Sequence, residues 1–405
     1  MPFEWFVALR YLREGRLQTV LVLGGTTVGV AVLVFLTALI SGLQQSLIDQ
    51  TLSSQAHIMV KAPERVPRVL PAPPGTVLAA QVEKAPDRVR SIEQWQQVLD
   101  AIERQPGVVA ATPTVAGPAF ASRGEANKSV AVRGVERDSF DRVIDIAGKI
   151  TAGEFRPAGT DVVIGSVLAE DLGVEVGDKV RLSTPEGRTE IFSVRGIFDL
   201  GNREVNQRWV LVPLRAGQNL LDLAGGATTI EVKVADVFAA ERIAREIGER
   251  TGLAADSWMK INSQLLVALR SQSSSSYLIQ TLVVLAVALA IASVLGVSVI
   301  QKSREIGILK ATGTSTARIQ RVFLIEGALV GLAGSVGGGL LGAAMAIFFA
   351  NLAKGPGGEP IFPVDLSFRY FVLAGLVATA TGVVAAFFPA RRAALLDPAE
   401  VIRYG

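Results

Sequence analysis

The chain has 405 residues, of which half are hydrophobic and only 19% charged, and its mean hydropathy is +0.41. A charged share below the roughly one quarter usual for soluble domains argues for a membrane protein. The formal charge of +3 and a pI near 9.2 do not make a nucleic-acid footprint, because the bases gather beside apolar runs rather than in a stripe with aromatics. The absence of cysteine excludes disulfides, thiolate metal sites and a cysteine nucleophile.

At the N-terminus, "PFEWFVALRYLREGR" sets Phe3, Phe6, Val7, Leu9 and Tyr11 against Arg10, Arg13 and Arg16. Residues 1–16 are therefore expected to form an amphipathic helix in the cytoplasmic membrane interface, with Gly15 as the breaker. No charge occurs in residues 17–48, 271–301, 327–353 or 370–390, and each run reaches the roughly 20 residues a helix needs to cross about 30 Å of hydrocarbon. Four transmembrane helices are predicted. The first run exceeds a signal-peptide h-region and is expected to be retained. At about 1.5 Å per residue, the first two runs could each reach about 46 Å, so both are expected to continue as stalks beyond the hydrocarbon.

Residues 49–270 read as one large mixed α/β domain. Strands are predicted at 56–60, 129–135, 162–164, 179–184, 190–197, 208–212 and 228–234. A helix over "SIEQWQQVLDAIERQPG" opens on a capping box from Ser91 to Gln94 and carries Ile92, Trp95, Val98, Leu99 and Ile102 on one face. A second helix, "DVFAAERIAREIGERTG", carries Val237, Ala240, Ile243, Ala244 and Ile247. Approximately 139–225 are read as a β-rich lobe inserted into a base built from both ends of the domain.

Basic residues set the orientation. Arg10, Arg13 and Arg16 precede the first span, five Lys/Arg lie within 302–321, and Arg391, Arg392 and Arg403 follow the last, whereas the 354–369 connection has only Lys354 and Arg369. Both termini, the segment 302–326 and the tail 391–405 are then cytoplasmic; the large domain and the short 354–369 loop lie on the opposite side. Within 302–326, a helix over "REIGILKAT" places Ile306, Leu309 and Lys310 near one side and Ile308 on another, and Gly313 ends it. In the third span Gly327 and Gly331, then Gly334, Gly338 and Gly342, recur at four-residue spacing, a face for close helix packing.

Catalytic and metal chemistry find no support. His57 is the only histidine and reads as a strand residue; Glu170–Asp171 and Glu175–Asp178 read as solvated carboxylates without a nucleophile or pocket. No catalytic residue and no metal ligand is assigned. Nor does the chain contain GxxxxGK[ST], so any nucleotide hydrolysis would have to occur on a separate chain.

"REIGILKATGTSTARIQRVFLIEGALVGLAGSVGGGLLG" (304–342) and "PARRAALLDPAEVIRYG" (389–405), with the order of four spans around a large domain, resemble the MacB/LolC/LolE/FtsX-like permeases of ABC transporters, the type VII mechanotransmission class. "WFVALRYLR" and "LISGLQQSL" lean toward the lipoprotein-releasing branch. The resemblance implies an α-helical membrane domain of four transmembrane helices plus a large mixed α/β domain of Porter and Sabre lobes, periplasmic in a multi-pass protein of the bacterial inner membrane. It also implies a non-catalytic subunit whose coupling helix meets a cytoplasmic ABC ATPase dimer through Arg304, Glu305, Gly307, Ile308, Leu309, Lys310, Ala311, Thr312 and Gly313. ATP and Mg would be bound by that ATPase and no cofactor by this chain.

A second copy or a paralogous permease completes the implied assembly, membrane lipid surrounds it, and a periplasmic adaptor or carrier is a further partner; nucleic acid is not. The implied function is lipoprotein release or lipid export, with MacB-like efflux or FtsX-like signalling to a cell-wall hydrolase as alternatives. Substrate entering laterally between the first and second spans of opposing subunits would pass Val32, Phe35, Leu39, Leu282, Leu285 and Leu289. One departure is visible: where carrier-recruiting relatives have a long Sabre hairpin, "RLSTPEGRTEIFSV" turns tightly at Pro185–Gly187, so carrier recruitment at that hairpin is not expected.

Overall fold

The computed structural model describes residues 3–63, 90–352 and 364–397, and the chain divides into two compact units, Met1–Leu47 with Val267–Gly405, and Ile48–Leu266. The predicted linker 63–74, most of the 354–369 loop and the end of the tail, with Lys354 and Arg403, lie outside the described residues except at their margins.

In the first unit, α1 (Phe3–Glu14) stops one residue short of Gly15, and the long helix α2 (Arg16–Ser53) begins immediately after it. Its other helices, numbered after those of the second unit, are α10 (Ser263–Gln301), α11 (Ser303–Ala311), α12 (Thr316–Leu352) and α13 (Phe368–Leu395). Among the described residues α2, α10, α12 and α13 are the four helices long and apolar enough to cross a membrane. Several hydroxyls within them are satisfied on their own backbones: Thr26 Oγ1 donates to the Val22 carbonyl at 2.9 Å, Thr37 to Leu33 at 2.7 Å and Thr379 to Gly375 at 2.7 Å. Such back-bonding removes the cost of carrying a hydroxyl into hydrocarbon.

Glycines bring these helices together. A Cβ on Gly331 would lie 2.5 Å from the Ala378 carbonyl oxygen of α13, and one on Gly342 would lie 2.8 Å from that of Ala31 in α2. Gly327 also abuts Gly382 of α13, while Gly334 meets Thr26 and Gly338 meets Val30 of α2. The stripe thus serves two neighbours, α13 at its first two positions and α2 at the last three.

The second unit contains β1 (Ile58–Lys61), α3 (Trp95–Glu103), β2 (Val108–Arg123), β3 (Ala126–Val135), α4 (Arg137–Val143), β4 (Ile150–Gly153), β5 (Asp161–Gly165), α5 (Ser166–Leu172), β6 (Lys179–Ser183), β7 (Thr189–Phe198), α6 (Arg203–Arg208), β8 (Trp209–Pro213), α7 (Leu214–Leu220), β9 (Thr229–Val234), α8 (Ala240–Thr251), β10 (Ala254–Ser257) and α9 (Trp258–Ile261). Its sheet runs β10-β1-β9-β2-β3-β8-β5-β7-β4, with β6 pairing β2 and β7. One core joins α3 and α8 to the base strands through Ile102, Ile230, Val232, Ile243, Ile247 and Trp258. A second core takes Ala119 and Ala121 of β2 and Val130 and Val132 of β3 as well as residues of the inserted segment. The lobe is therefore not closed at 139–225, because the sixteen-residue β2 supplies strand to both halves.

Two expectations change and a third, the tight β6–β7 turn, holds. The capping box does not form: α3 begins at Trp95, Gln94 caps it in a left-handed conformation (φ 49°) with no side-chain bond, and Ser91 Oγ accepts instead from the Ala227 amide at 3.2 Å. Strands β2, β4 and β10 are absent from the predicted set, as are helices α4 to α7 and α9. At the β6–β7 turn, Gly187 adopts φ 89° and the Thr184 amide donates to the Arg188 carbonyl at 2.8 Å, closing a short hairpin.

Candidate functional site

Helix α11 is nine residues long and lies between α10 and α12 in the chain. Lys302 occupies its N-cap position, and Gly313 at φ 96° ends it, the Gly313 and Thr314 amides closing back onto the Lys310 and Leu309 carbonyls at 3.0 Å each. A left-handed residue just past a helix is the glycine C-terminal arrangement.

The helix has two faces. Ile306, 1% exposed, and Gly307 point inward, and Ile306 packs with Val7, Ala8 and Tyr11 of α1, Ile319, Val322 and Phe323 of α12, and Ala390 and Ala393 of α13. Arg304, Glu305, Ile308, Ala311 and Thr312 face out, with Ile308 50% exposed. Leu309 is half-buried between the faces. The outward face is thus one apolar side chain flanked by a cation, a carboxylate and small residues.

Two of the residues expected at a partner's surface point elsewhere. Gly307 allows close approach inside the bundle, and Lys310 Nζ donates to the carbonyl oxygens of Ala394 at 3.0 Å and Leu396 at 2.5 Å. An ammonium on the terminal carbonyls of α13 satisfies groups that a helix end leaves without partners and complements its dipole.

At the opposite end of α11 the structure adds residues that the sequence analysis had not assigned to the site. Lys302 Nζ sits 3.8 Å from the Tyr11 ring centroid and 3.3 Å from Glu14 Oε2, and its side chain is only 12% exposed. Glu14 is also held by Arg10 at 2.6 Å, and these two cations keep its carboxyl below the usual range. Burial, aided by the carboxylates of Glu305, Glu326 and Glu14, pushes the Tyr11 phenol up to about 12. Gln18 Nε2 donates to Gln301 Oε1 at 2.8 Å, a further tie between α2 and α10. A basic residue directly after an uncharged run was the available signal for Lys302; nothing local marked Tyr11 or Glu14 as its partners.

The six residues of the expected substrate path lie on α2 and α10. Leu282, Leu285 and Leu289 form an exposed stripe on α10, while Val32, Phe35 and Leu39 are half-buried on α2, with the Phe35 ring edge-on to Phe349 at 6.0 Å. A cavity of about 280 Å³ lies instead beside Val34, Thr37, Tyr277, Gln280 and Tyr370, and none of the six lines it. His57 is buried in the α/β domain with Nδ1 at 3.1 Å from the Val234 carbonyl, and burial lowers its pKa. Among the described residues no group of His, Asp and Glu is arranged to hold a metal.

Four apolar helices, an extracytoplasmic α/β domain between the first and second, and a short helix between the second and third define a multi-pass membrane protein. Comparison with known families agrees: the MacB-like periplasmic core domain matches residues 19–250, and the FtsX-like permease C-terminal region matches 277–398. The chain is 26% identical over 437 residues to the lipoprotein-releasing system transmembrane protein LolC of Xylella fastidiosa (strain 9a5c), covering 100% of this chain and 99% of the relative. It is 24% identical over 437 residues to the corresponding protein LolE of Haemophilus influenzae, covering 99% of each. The macrolide export ATP-binding/permease protein MacB of Azoarcus sp. is 25% identical over 418 residues, which are 96% of this chain and 58% of that protein. This chain belongs to the MacB/FtsX-like family of ABC transporter permeases. It is the non-catalytic transmembrane component, and its activity requires a partner ATPase.

Proposed function

We propose that this permease carries the conformational work of a cytoplasmic ATPase dimer to its periplasmic domain and thereby releases lipoprotein, or exports lipid, from the bacterial inner membrane. The observation that carries the coupling half of the reading is the exposed Ile308 at the centre of the outward face of α11. An isolated apolar side chain ringed by Arg304, Glu305, Ala311 and Thr312 suits insertion into a groove on a partner protein. ATP and Mg²⁺ are then taken by the ATPase, and two permease chains, identical or paralogous, match the dimer's two docking positions.

Full-length similarity to LolC and LolE relatives, against 58% coverage of the MacB relative, supports lipoprotein as the cargo. The bases that flank the spans support cytoplasmic termini and a cytoplasmic α11. One observation favours a second reading: the tight β6–β7 turn offers no long hairpin to a soluble carrier, which suits efflux through a periplasmic adaptor. Reconstitution of the permease with its ATPase in proteoliposomes carrying a triacylated lipoprotein tests the cargo. ATP-dependent appearance of the lipoprotein in the soluble fraction is expected. ATP turnover without release, together with co-purification of an adaptor or of a cell-wall hydrolase, would replace lipoprotein release by efflux or by signalling.

A further inference from the structure

Glu326 lies well inside α12, 4% exposed, and its Oε2 has no hydrogen-bond partner among the described residues. An ionisable side chain within a membrane span is costly and normally has a partner or a task. The carboxyl borders a cavity of about 20 Å³ whose other polar walls are Tyr11, Gln18, Thr19 and Ser298. Gln18 is already committed to Gln301, and the Thr19 hydroxyl donates to the Leu12 carbonyl at 2.7 Å, which leaves Glu326 with an unused acceptor. A space of this size holds one water, and an ammonium head is of similar size.

The cation beside this cavity is Lys302. Its Nζ rests over the ring of Tyr11, which is also a wall of the cavity. Lys302 is also the residue from which α11 starts, so a displacement of the coupling helix must move it. Two carboxylates therefore lie within its range of action: Glu14, partly exposed and already paired with Arg10, and Glu326, buried with a free oxygen.

We propose that the Glu326 cavity is a second docking site for the Lys302 ammonium, so that Lys302 exchanges Glu14 for Glu326 when the ATPase displaces α11. The outer position shown here keeps the ammonium on Glu14 and the Tyr11 face; the inner position pairs two groups that are otherwise costly to bury singly. Lys302 and Glu326 act as positioning residues that couple α11 to α1, α2 and α10. This inference rests on the reading of α11 as the coupling helix.

The test is acetylation of Lys302 by an N-hydroxysuccinimide ester, read by peptide mass spectrometry on the complex with its ATPase. The complex is probed without nucleotide and with a non-hydrolysable ATP analogue, and Lys61 and Lys128 of the α/β domain serve as references. Nucleotide is expected to lower Lys302 modification about threefold or more, as a shift to the inner position requires. Glu326→Gln should abolish that drop, and Glu14→Gln should lower modification even without nucleotide. An unchanged Lys302 signal in the parent overturns the exchange, as does a full drop in Glu326→Gln, which would mark the cavity as a water site only. Should Glu326→Gln not fold, the Glu14→Gln arm decides: no lowering refutes the proposal. The docking reading fails separately if Ile308→Glu still assembles with the ATPase and retains the nucleotide-dependent drop in Lys302 modification.

Discussion

Replacing Ile308 with Glu separates a docking face from a loop that only fixes topology. In the free permease Ile308 is 50% exposed, and a surface substitution of this kind changes stability by no more than about 0.5 kcal/mol. Arg304, one turn earlier and exposed, could recover about 0.3 to 0.5 kcal/mol as an i,i+4 pair. Against an apolar groove the new carboxylate becomes a buried charge without a partner, at about 3 to 5 kcal/mol. The second effect wins by several-fold, and at about 1.4 kcal/mol per factor of ten it predicts an affinity loss of two powers of ten or more. Ile308→Glu should insert, melt and resist protease like the parent while losing the ATPase in pull-down and losing permease-stimulated ATP turnover in proteoliposomes; Ile308→Leu should retain both. Binding of Ile308→Glu within about threefold of the parent would refute the reasoning, because no buried charge of that cost could be present.

Gly331→Leu should lower the melting temperature of the detergent-solubilised chain, since even a Cβ there would meet the Ala378 carbonyl oxygen at 2.5 Å and Thr379 Cα at 2.9 Å, an overpacking cost of about 1–3 kcal/mol. Gly296→Ala, with open space around the added carbon, is the control and should leave melting unchanged. Burial raises the Asp256 carboxyl, but Lys260 at 2.6 Å and Lys61 at 3.0 Å outweigh it, so its pKa is lowered on folding. The resulting stability is present above the unfolded aspartate value, about 4, and is lost as pH falls through the depressed folded value. Asp256→Asn should therefore melt below the parent at pH 7 and converge with it on acidification; a constant difference down to acid unfolding would refute this assignment.

The membrane helices were legible because absence of charge over twenty or more residues has few other physical meanings. Strand β2 was not. "VVAATPTVAGPAFASR" contains Pro113, Gly117 and Pro118, and its buried stretch, Ala110 to Val115, is covered on both faces, so the alternation that marks a half-buried strand is missing. On α11 the spacing of Ile306 and Ile308 separated the inward from the outward side chain correctly. Lys310 could not be resolved the same way, because its acceptors are backbone carbonyls 84 and 86 residues away. The sequence did display Glu326 as the last charge before an uncharged run, but its cavity is made by α1, α2 and α10 and exists only after packing.

If α11 is the coupling helix proposed above, what its inner face touches decides how it would act as a handle. Were α11 attached only through its chain ends, a push on Ile308 could be absorbed by the turns at Lys302 and Gly313. It is not attached only there. Ile306 is buried in a cluster with α1, α12 and α13, where packed side chains resist displacement. Lys310 adds a polar tie to the end of α13, and Lys302 adds one to α1. The Tyr11 ring, 6.1 Å from Phe323, ties α1 in turn to α12. A shift of α11 must therefore move its neighbours with it or break a buried contact. On that proposal the glycine face of α12 would pass the shift along the spans, since Gly327 and Gly331 lie against the backbone of α13 and Gly334, Gly338 and Gly342 against Thr26, Val30 and Ala31 of α2 without a long side chain between.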